Sequence, residues 1–199
     1  MNILWLVLAV LVWGIVHSVL ASFEAKDWVR RRLGETGRRF YRLGYNIFSV
    51  FSFAPILWLM AILPDRLLYR VPSPWMYLLL AGQFAAVILL LVGVLQTDTL
   101  SFVGLRQLFE GKERSSRLVT QGLYRWVRHP LYTAGLLFIW LTPVMSQNTL
   151  TVVIAATLYI IIGAVFEERK LAREFGAAYT EYKAATPMLI PGLNFGRNK

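Results

Sequence analysis

Apolar and charged positions separate sharply along this chain. Four stretches carry no Asp, Glu, Lys or Arg: residues 3–21, 44–63, 75–95 and 131–166. A helix needs about 20 apolar residues to cross about 30 Å of hydrocarbon at about 1.5 Å per residue. Each of the first three stretches therefore predicts one spanning helix. The fourth has 36 residues and is interrupted at 143–149 by a proline and a run of polar side chains. It predicts a helical hairpin, 131–142 followed by 150–166, whose short arms are sunk toward one leaflet or extended by flanking residues. The fold class is all-α integral membrane, with five transmembrane helices, the last two forming the hairpin. The chain reads as one membrane domain, 1–199, with three helices in 1–95 and the hairpin and tail in 96–199.

Composition agrees with the pattern: 57% of residues are hydrophobic and 16% charged, too little polar surface for a soluble domain of this length. The 21 Lys and Arg fall as seven in 22–43, two in 64–74, six in 96–130 and six in 167–199. Five helices place nineteen of the 21 on one side. The positive-inside rule makes that side cytoplasmic, with the N-terminus outside and the C-terminus inside. A bacterial inner membrane is the expected location. Topology thus accounts for the net charge of +10 without a nucleic-acid partner, and the same basic segments can face anionic lipid head groups. The first helix reads as retained rather than as a signal peptide, because no basic region precedes it and seven basic residues follow.

Several chemistries are excluded. Without Cys there are no disulfides, thiolate metal sites or Cys nucleophiles. Two histidines cannot build a His-rich metal site, and no metal is expected. The phosphate-loop, dinucleotide, zinc-protease and serine-hydrolase motifs are absent. The charged segments are too short for a separate catalytic domain, so any chemistry must be assembled from them and from helix ends.

Two patches offer such chemistry. The first runs from Leu118 to Tyr132 and enters the fourth expected helix at Pro130, a residue suited to a helix start because it has no N–H to leave unpaired. Arg128 and His129 then sit at the membrane surface, with Tyr132 about one turn in. A helix start favours an anionic group. The second patch, Phe166 to Lys183, begins where the fifth helix leaves the membrane, and its Glu167 and Glu168 need cationic partners there. The hairpin returns it to the side of the first patch. Together they form a recess at the cytoplasmic interface suited to a zwitterion: carboxylates for an ammonium, the helix start for a carboxylate, and aromatic faces for a positive centre.

The ordered set Gly122-Leu123-Tyr124, Arg128-His129-Pro130-Leu131-Tyr132, Glu167-Glu168, Leu171, Phe175-Gly176, Tyr179, Tyr182 and Pro187-Met188-Leu189-Ile190-Pro191 resembles the isoprenylcysteine carboxyl methyltransferase and phospholipid methyltransferase superfamily. Phe102 to Gln107, with His17-Ser18, Leu20-Ala21, Lys26 and Trp28, looks most like its methanethiol S-methyltransferase and NnrU-like branch. The resemblance implies an S-adenosylmethionine-dependent membrane methyltransferase with its cofactor site on the cytoplasmic side. It implicates Arg117, Leu118, Val119, Tyr124, His129, Pro130, Leu131, Tyr132 and Glu167 as cofactor contacts. Prenylcysteine enzymes place an Arg for the substrate carboxylate four residues before the first Glu of the pair. Gly163 stands there in this chain, which turns the expected acceptor toward a small thiol or a lipid-like molecule.

His17, inside an apolar run, is a candidate substrate contact, equally readable as a structural histidine bonded between helices. Arg106 and Gln107 are candidates for lining the opening, or ordinary surface residues. No residue is assigned as catalytic base. The expected partners are membrane lipid and a small lipophilic or thiol acceptor. The competing readings are a non-enzymatic NnrU-like protein of nitrogen-oxide metabolism or regulation, and a transporter or structural subunit. The last has little to work with, since no apolar run contains a charge.

Overall fold

The structure, a computed structural model, describes residues 2–110 and 117–193. In chain order the elements are α1 (Asn2–Ala21), α2 (Phe23–Phe51), α3 (Ala54–Ile62), β1 (Leu67–Arg70), α4 (Trp75–Gln96), α5 (Thr99–Val103), α6 (Leu105–Glu110), a 3-10 turn (Gly122–Arg125), α7 (Pro130–Trp140), β2 (Val144–Ser146), α8 (Gln147–Phe175) and α9 (Ala177–Ala185). The two strands form one small sheet.

Among the described residues, four helical stretches are long and apolar enough to cross a membrane: Ile3–Ala21, Phe23–Ile62, Trp75–Gln96 and Gln147–Phe175. Large apolar side chains such as Leu11, Ile15, Leu91, Leu95 and Ile162 lie exposed along them, as hydrocarbon rather than water requires. The expected fourth helix is present as α7 but has only 11 residues, about 16 Å of rise, and is not one of the four. The expected second arm of the hairpin is longer than 150–166: α8 runs for 29 residues and carries Glu167 and Glu168 within it. The basic segment 22–43 is itself helical. Ser22 caps α2 by accepting from the Ala25 N–H at 3.2 Å, and the helix breaks direction at Gly34, whose φ of 60° leaves the helical region.

The chain divides into two compact units. One comprises Met1–Leu68, Asp98–Ser115 and Ser146–Ala155. Its core packs Leu6 and Val10 of α1 with Ile56 of α3 and Val152 of α8. The Tyr41 hydroxyl donates to the Leu20 carbonyl at 2.6 Å and the Trp13 indole to Ser52 Oγ at 3.0 Å. Asn148 is 2% exposed. Its Nδ2 donates to the carbonyls of Leu63 at 3.2 Å and Met60 at 3.4 Å, which the end of α3 leaves without helical partners. Its own N–H donates to Asp65 Oδ1 at 2.9 Å.

The other unit comprises Tyr69–Thr97, Ser116–Met145 and Ala156–Lys199. Here α4 and α7 pack antiparallel through small residues. Ala86 and Ala134 are each 1% exposed, and a Cβ on Gly93 would stand 2.8 Å from Leu131 Cδ2. Helices in lipid gain contact by such close approach, since apolar surface alone does not drive them together. Pro143 prevents α7 from continuing. The chain goes on extended, covering about 3.3 Å per residue instead of about 1.5 Å. Its carbonyls are satisfied from neighbouring elements: Gln83 Nε2 donates to Phe138 O at 2.9 Å, the Tyr69 hydroxyl to Thr142 O at 3.1 Å, and the Val71 N–H to Pro143 O at 2.9 Å.

At the other end of α4, Gln96 Oε1 accepts the Leu123 N–H at 2.8 Å and fixes the 3-10 turn that leads to α7. Gly122 opens that turn with φ of 64°, and a Cβ there would lie 2.5 Å from the Gln96 amide. Gly122→Ala is therefore expected to cost about 1–2 kcal/mol from backbone strain alone and to lower the unfolding midpoint in detergent. Gly135→Ala in α7, where a Cβ meets nothing within 4 Å, is expected to hold or raise it by up to about 1 kcal/mol. Thermal unfolding of the two variants side by side checks both.

Candidate functional site

Glu167 and Glu168 follow one another on α8 and so diverge by about 100° around the helix. They meet different fates. Glu168 is 5% exposed. Arg128 Nε donates to its Oε1 at 2.6 Å and Arg128 Nη2 reaches the same oxygen. Lys183 Nζ lies 2.8 Å from its Oε2. Arg128 is itself 9% exposed, and its Nη1 donates to the carbonyls of Lys183, at 3.0 Å, and Thr186. These carbonyls belong to the end of α9, where helical partners have run out. Every charged atom of this buried group is met, the condition under which charge is tolerated away from water.

The Glu167 side chain is 43% exposed. One oxygen accepts the Tyr132 hydroxyl at 2.8 Å, so the carboxylate is oriented while it still faces outward. The Tyr132 ring stacks on His129, with centroids 5.4 Å apart and planes 15° from parallel. His129 is buried between the two carboxylates: Nδ1 lies 3.7 Å from Glu167 and Nε2 3.6 Å from Glu168. Both separations exceed hydrogen-bond reach, and Nε2 is buried with no hydrogen bond. Pro130 occupies the first position of α7. The amides of Arg128 and His129 donate to Pro187 O at 2.9 Å and Met188 O at 3.1 Å, and Thr133 Oγ1 donates to Leu189 O at 2.7 Å.

Three tyrosines close the cluster. The Tyr182 hydroxyl donates to the Tyr124 carbonyl at 2.5 Å and its ring meets Tyr179 edge to face at 6.1 Å. Burial first, then the Glu167 carboxylate, pushes the Tyr124 phenol up to about 12. Burial and the Glu168 carboxylate push Tyr179 up to about 12 against the opposing Arg128. Tyr182 is raised as well, by burial and then by Tyr179.

Of the residues expected at the site, Tyr124, His129, Pro130, Leu131, Tyr132 and Glu167 belong to this one unit, and three of them are in mutual contact. Arg117, exposed, and Leu118 and Val119, half-buried, form the irregular approach to the 3-10 turn in the same unit. His17 and Arg106 belong to the other unit. His17 Nε2 lies 2.6 Å from the Tyr45 hydroxyl and its ring stacks on Trp13 at 4.8 Å, a bridge between α1 and α2. Arg106 pairs with Asp98 at 3.0 Å. The Gln107 side chain lies outside the described residues. Sequence reasoning asked for cations beside the Glu pair without naming them. They are Arg128 and Lys183, and the only signal was that each patch carries several basic residues, with nothing to single out these two.

The three raised phenols bear on stability. In the unfolded chain a tyrosine titrates near pH 10, whereas Tyr124 and Tyr179 hold their protons to about 12. The stability they contribute is fully present below about pH 10 and is lost as pH rises toward about 12, because the unfolded state releases its protons first. Unfolding in detergent across this window is expected to show a falling midpoint, and Tyr179→Phe to blunt the fall.

Residues 78–178 match the phospholipid methyltransferase family; this range takes in nearly all of α4, the whole of α7 and α8, and with them Arg128, His129, Tyr132, Glu167 and Glu168. The chain is 32% identical over 191 residues to methanethiol S-methyltransferase 2 of Bradyrhizobium diazoefficiens, covering 94% of this chain and 72% of that protein. It is 30% identical over 184 residues to methanethiol S-methyltransferase 1 of the same organism, covering 90% and 63%. It is 28% identical over 191 residues to methanethiol S-methyltransferase of Crocosphaera subtropica, covering 90% and 71%. The chain thus spans 63 to 72% of the length of these relatives. No solved structure matches it. With a family match across half its length, over the helices that build the site, and 32% identity to a relative along nearly all of it, the chain belongs to the phospholipid methyltransferase family of membrane proteins.

Proposed function

We propose that this chain transfers a methyl group from S-adenosylmethionine to a small thiol or lipid-like acceptor at the cytoplasmic surface of a membrane. The observation that carries the reading is the Glu167 carboxylate, held by Tyr132 yet still 43% exposed, beside the buried His129 at the start of α7. Family membership supports methyl transfer, and the relatives' names support a thiol as the first acceptor to try.

The residues present fit that donor. When bound, S-adenosylmethionine supplies a methyl group made electrophilic by its sulfonium. Glu167 offers a carboxylate to the ammonium, by a charge-assisted hydrogen bond. The start of α7 at Pro130 brings the positive end of a helix to the site, which favours a carboxylate. His129 Nε2, buried without a hydrogen bond, gains a partner from a ligand. The faces of Tyr132 and Tyr124 suit a positive centre. Tyr132 also orients Glu167, so the site is set before a ligand arrives, which lowers the entropy cost of alignment.

Calorimetric titration of detergent-purified protein with S-adenosylmethionine is the test. Saturable binding is expected. Glu167→Ala is expected to weaken it by roughly tenfold to a hundredfold, the worth of a hydrogen bond to a charged group. Tyr132→Phe, which leaves the carboxylate but frees it, is expected to weaken it by roughly tenfold or less. Methylated product should appear with a small thiol acceptor and be lost with Glu167→Ala. Absence of binding by folded protein would sink the reading.

A further inference from the structure

The side chains around the site alternate in destination. His129, Tyr132 and Glu167 contact one another, and their chain neighbours Arg128, Thr133 and Glu168 all bond to α9 or the segment after it. That segment is held by five of its carbonyls: Lys183 and Thr186 on Arg128 Nη1, Pro187 on the Arg128 amide, Met188 on the His129 amide, and Leu189 on Thr133 Oγ1. Glu168 closes the ring by binding both Arg128 and Lys183. The Arg128–Glu168 pair itself leaves little for a ligand, since both Glu168 oxygens are engaged and Arg128 is 9% exposed.

We infer that Arg128 is a positioning residue, and that its pairing with Glu168 clasps Lys183–Leu189 across the start of α7 so that His129 and Glu167 are held in register. The inference rests on the proposed function for what is positioned. Two carboxylates side by side on α8 then have divided roles, Glu168 anchoring the clasp and Glu167 meeting the ligand. A lysine cannot replace Arg128, because one ammonium cannot serve Glu168 and two carbonyls in the planar fork that the guanidinium provides. Lys183 contributes less, since its ammonium is half exposed and meets only one oxygen.

The test compares wild type, Arg128→Lys and Lys183→Met by S-adenosylmethionine titration and by amide hydrogen exchange at residues 128 and 129, whose N–H groups are bonded to the clasp. Arg128→Lys is expected to keep its helical content, to speed exchange at both amides, and to raise the Kd by about tenfold or more. Lys183→Met is expected to move both readouts the same way by only a few-fold. Faster exchange at 128 and 129 with a wild-type Kd would overturn the inference, because the clasp would then position nothing. A raised Kd with unchanged exchange would overturn it too, because Arg128 would then act on the ligand directly. Should Arg128→Lys fail to fold, Lys183→Met decides by the same two comparisons. Wild-type protein that is folded and clasped but binds no S-adenosylmethionine would instead mark failure of the proposed function, and the positioning role would fall with it.

Discussion

A guanidinium and a carboxylate lie almost wholly out of water where the start of α7, the end of the apolar part of α8 and the tail beyond α9 come together. An ion pair in such a place does little for stability against an apolar alternative, because desolvating the two charges offsets their attraction. It does restrict geometry. Arg128 has few arrangements in which Glu168 and two carbonyls are all met at once. Removing Glu168 would leave the buried guanidinium with backbone carbonyls alone for partners. The site beside it is thus built on contacts that are costly to break and tolerate little displacement.

The remainder of the fold deals with lipid as solvent. With hydrocarbon on the outside, burying apolar surface is a weak organiser, and other devices take over. Three side-chain amides show the pattern. Asn148 serves the end of α3, Gln83 the end of α7, and Gln96 the turn before α7. Each supplies a backbone group that a helix end leaves unpaired and that hydrocarbon would not satisfy. Close approach between α4 and α7 comes from glycine and alanine instead of from large side chains filling a core.

Much of this was legible in the sequence. The charge-free runs at 3–21 and 75–95 coincide with α1 and α4, since twenty apolar residues in a row have little alternative to a helix in lipid. The junction of the two patches was legible because Pro130 and Glu167 bracket one apolar run, 131–166. What escaped reading has physical reasons. The run 131–166 marked a short first arm and a break at 143–149, which α7 matches, but gave no sign that α8 starts at Gln147 and continues past Glu168 to Phe175. Segment 22–43 looked like a connection because its basic residues hide a helical backbone. Arg128 read as an interfacial cation, since the acceptors that bury it, at Lys183 and Thr186, are backbone carbonyls, which every residue carries and no pattern advertises. His17 bonds to Tyr45 across 28 positions, a separation at which residue type alone suggests no partner.

The shortness of α7 bears on how the protein is made. Eleven apolar residues are too few to remain across a bilayer as an independent segment. Its carbonyls near Phe138 and Thr142 would meet hydrocarbon unless Gln83 and Tyr69 were already in place. Those partners precede α7 in the chain and emerge earlier in synthesis. By length and composition α4 can span alone, and because it precedes α7 in the chain it is available as the surface on which α7 packs. The order of the elements along the chain is then an assembly instruction as well as a topology, and a rearranged chain that presented α7 before α4 would confront the insertion machinery with a segment it has no reason to keep.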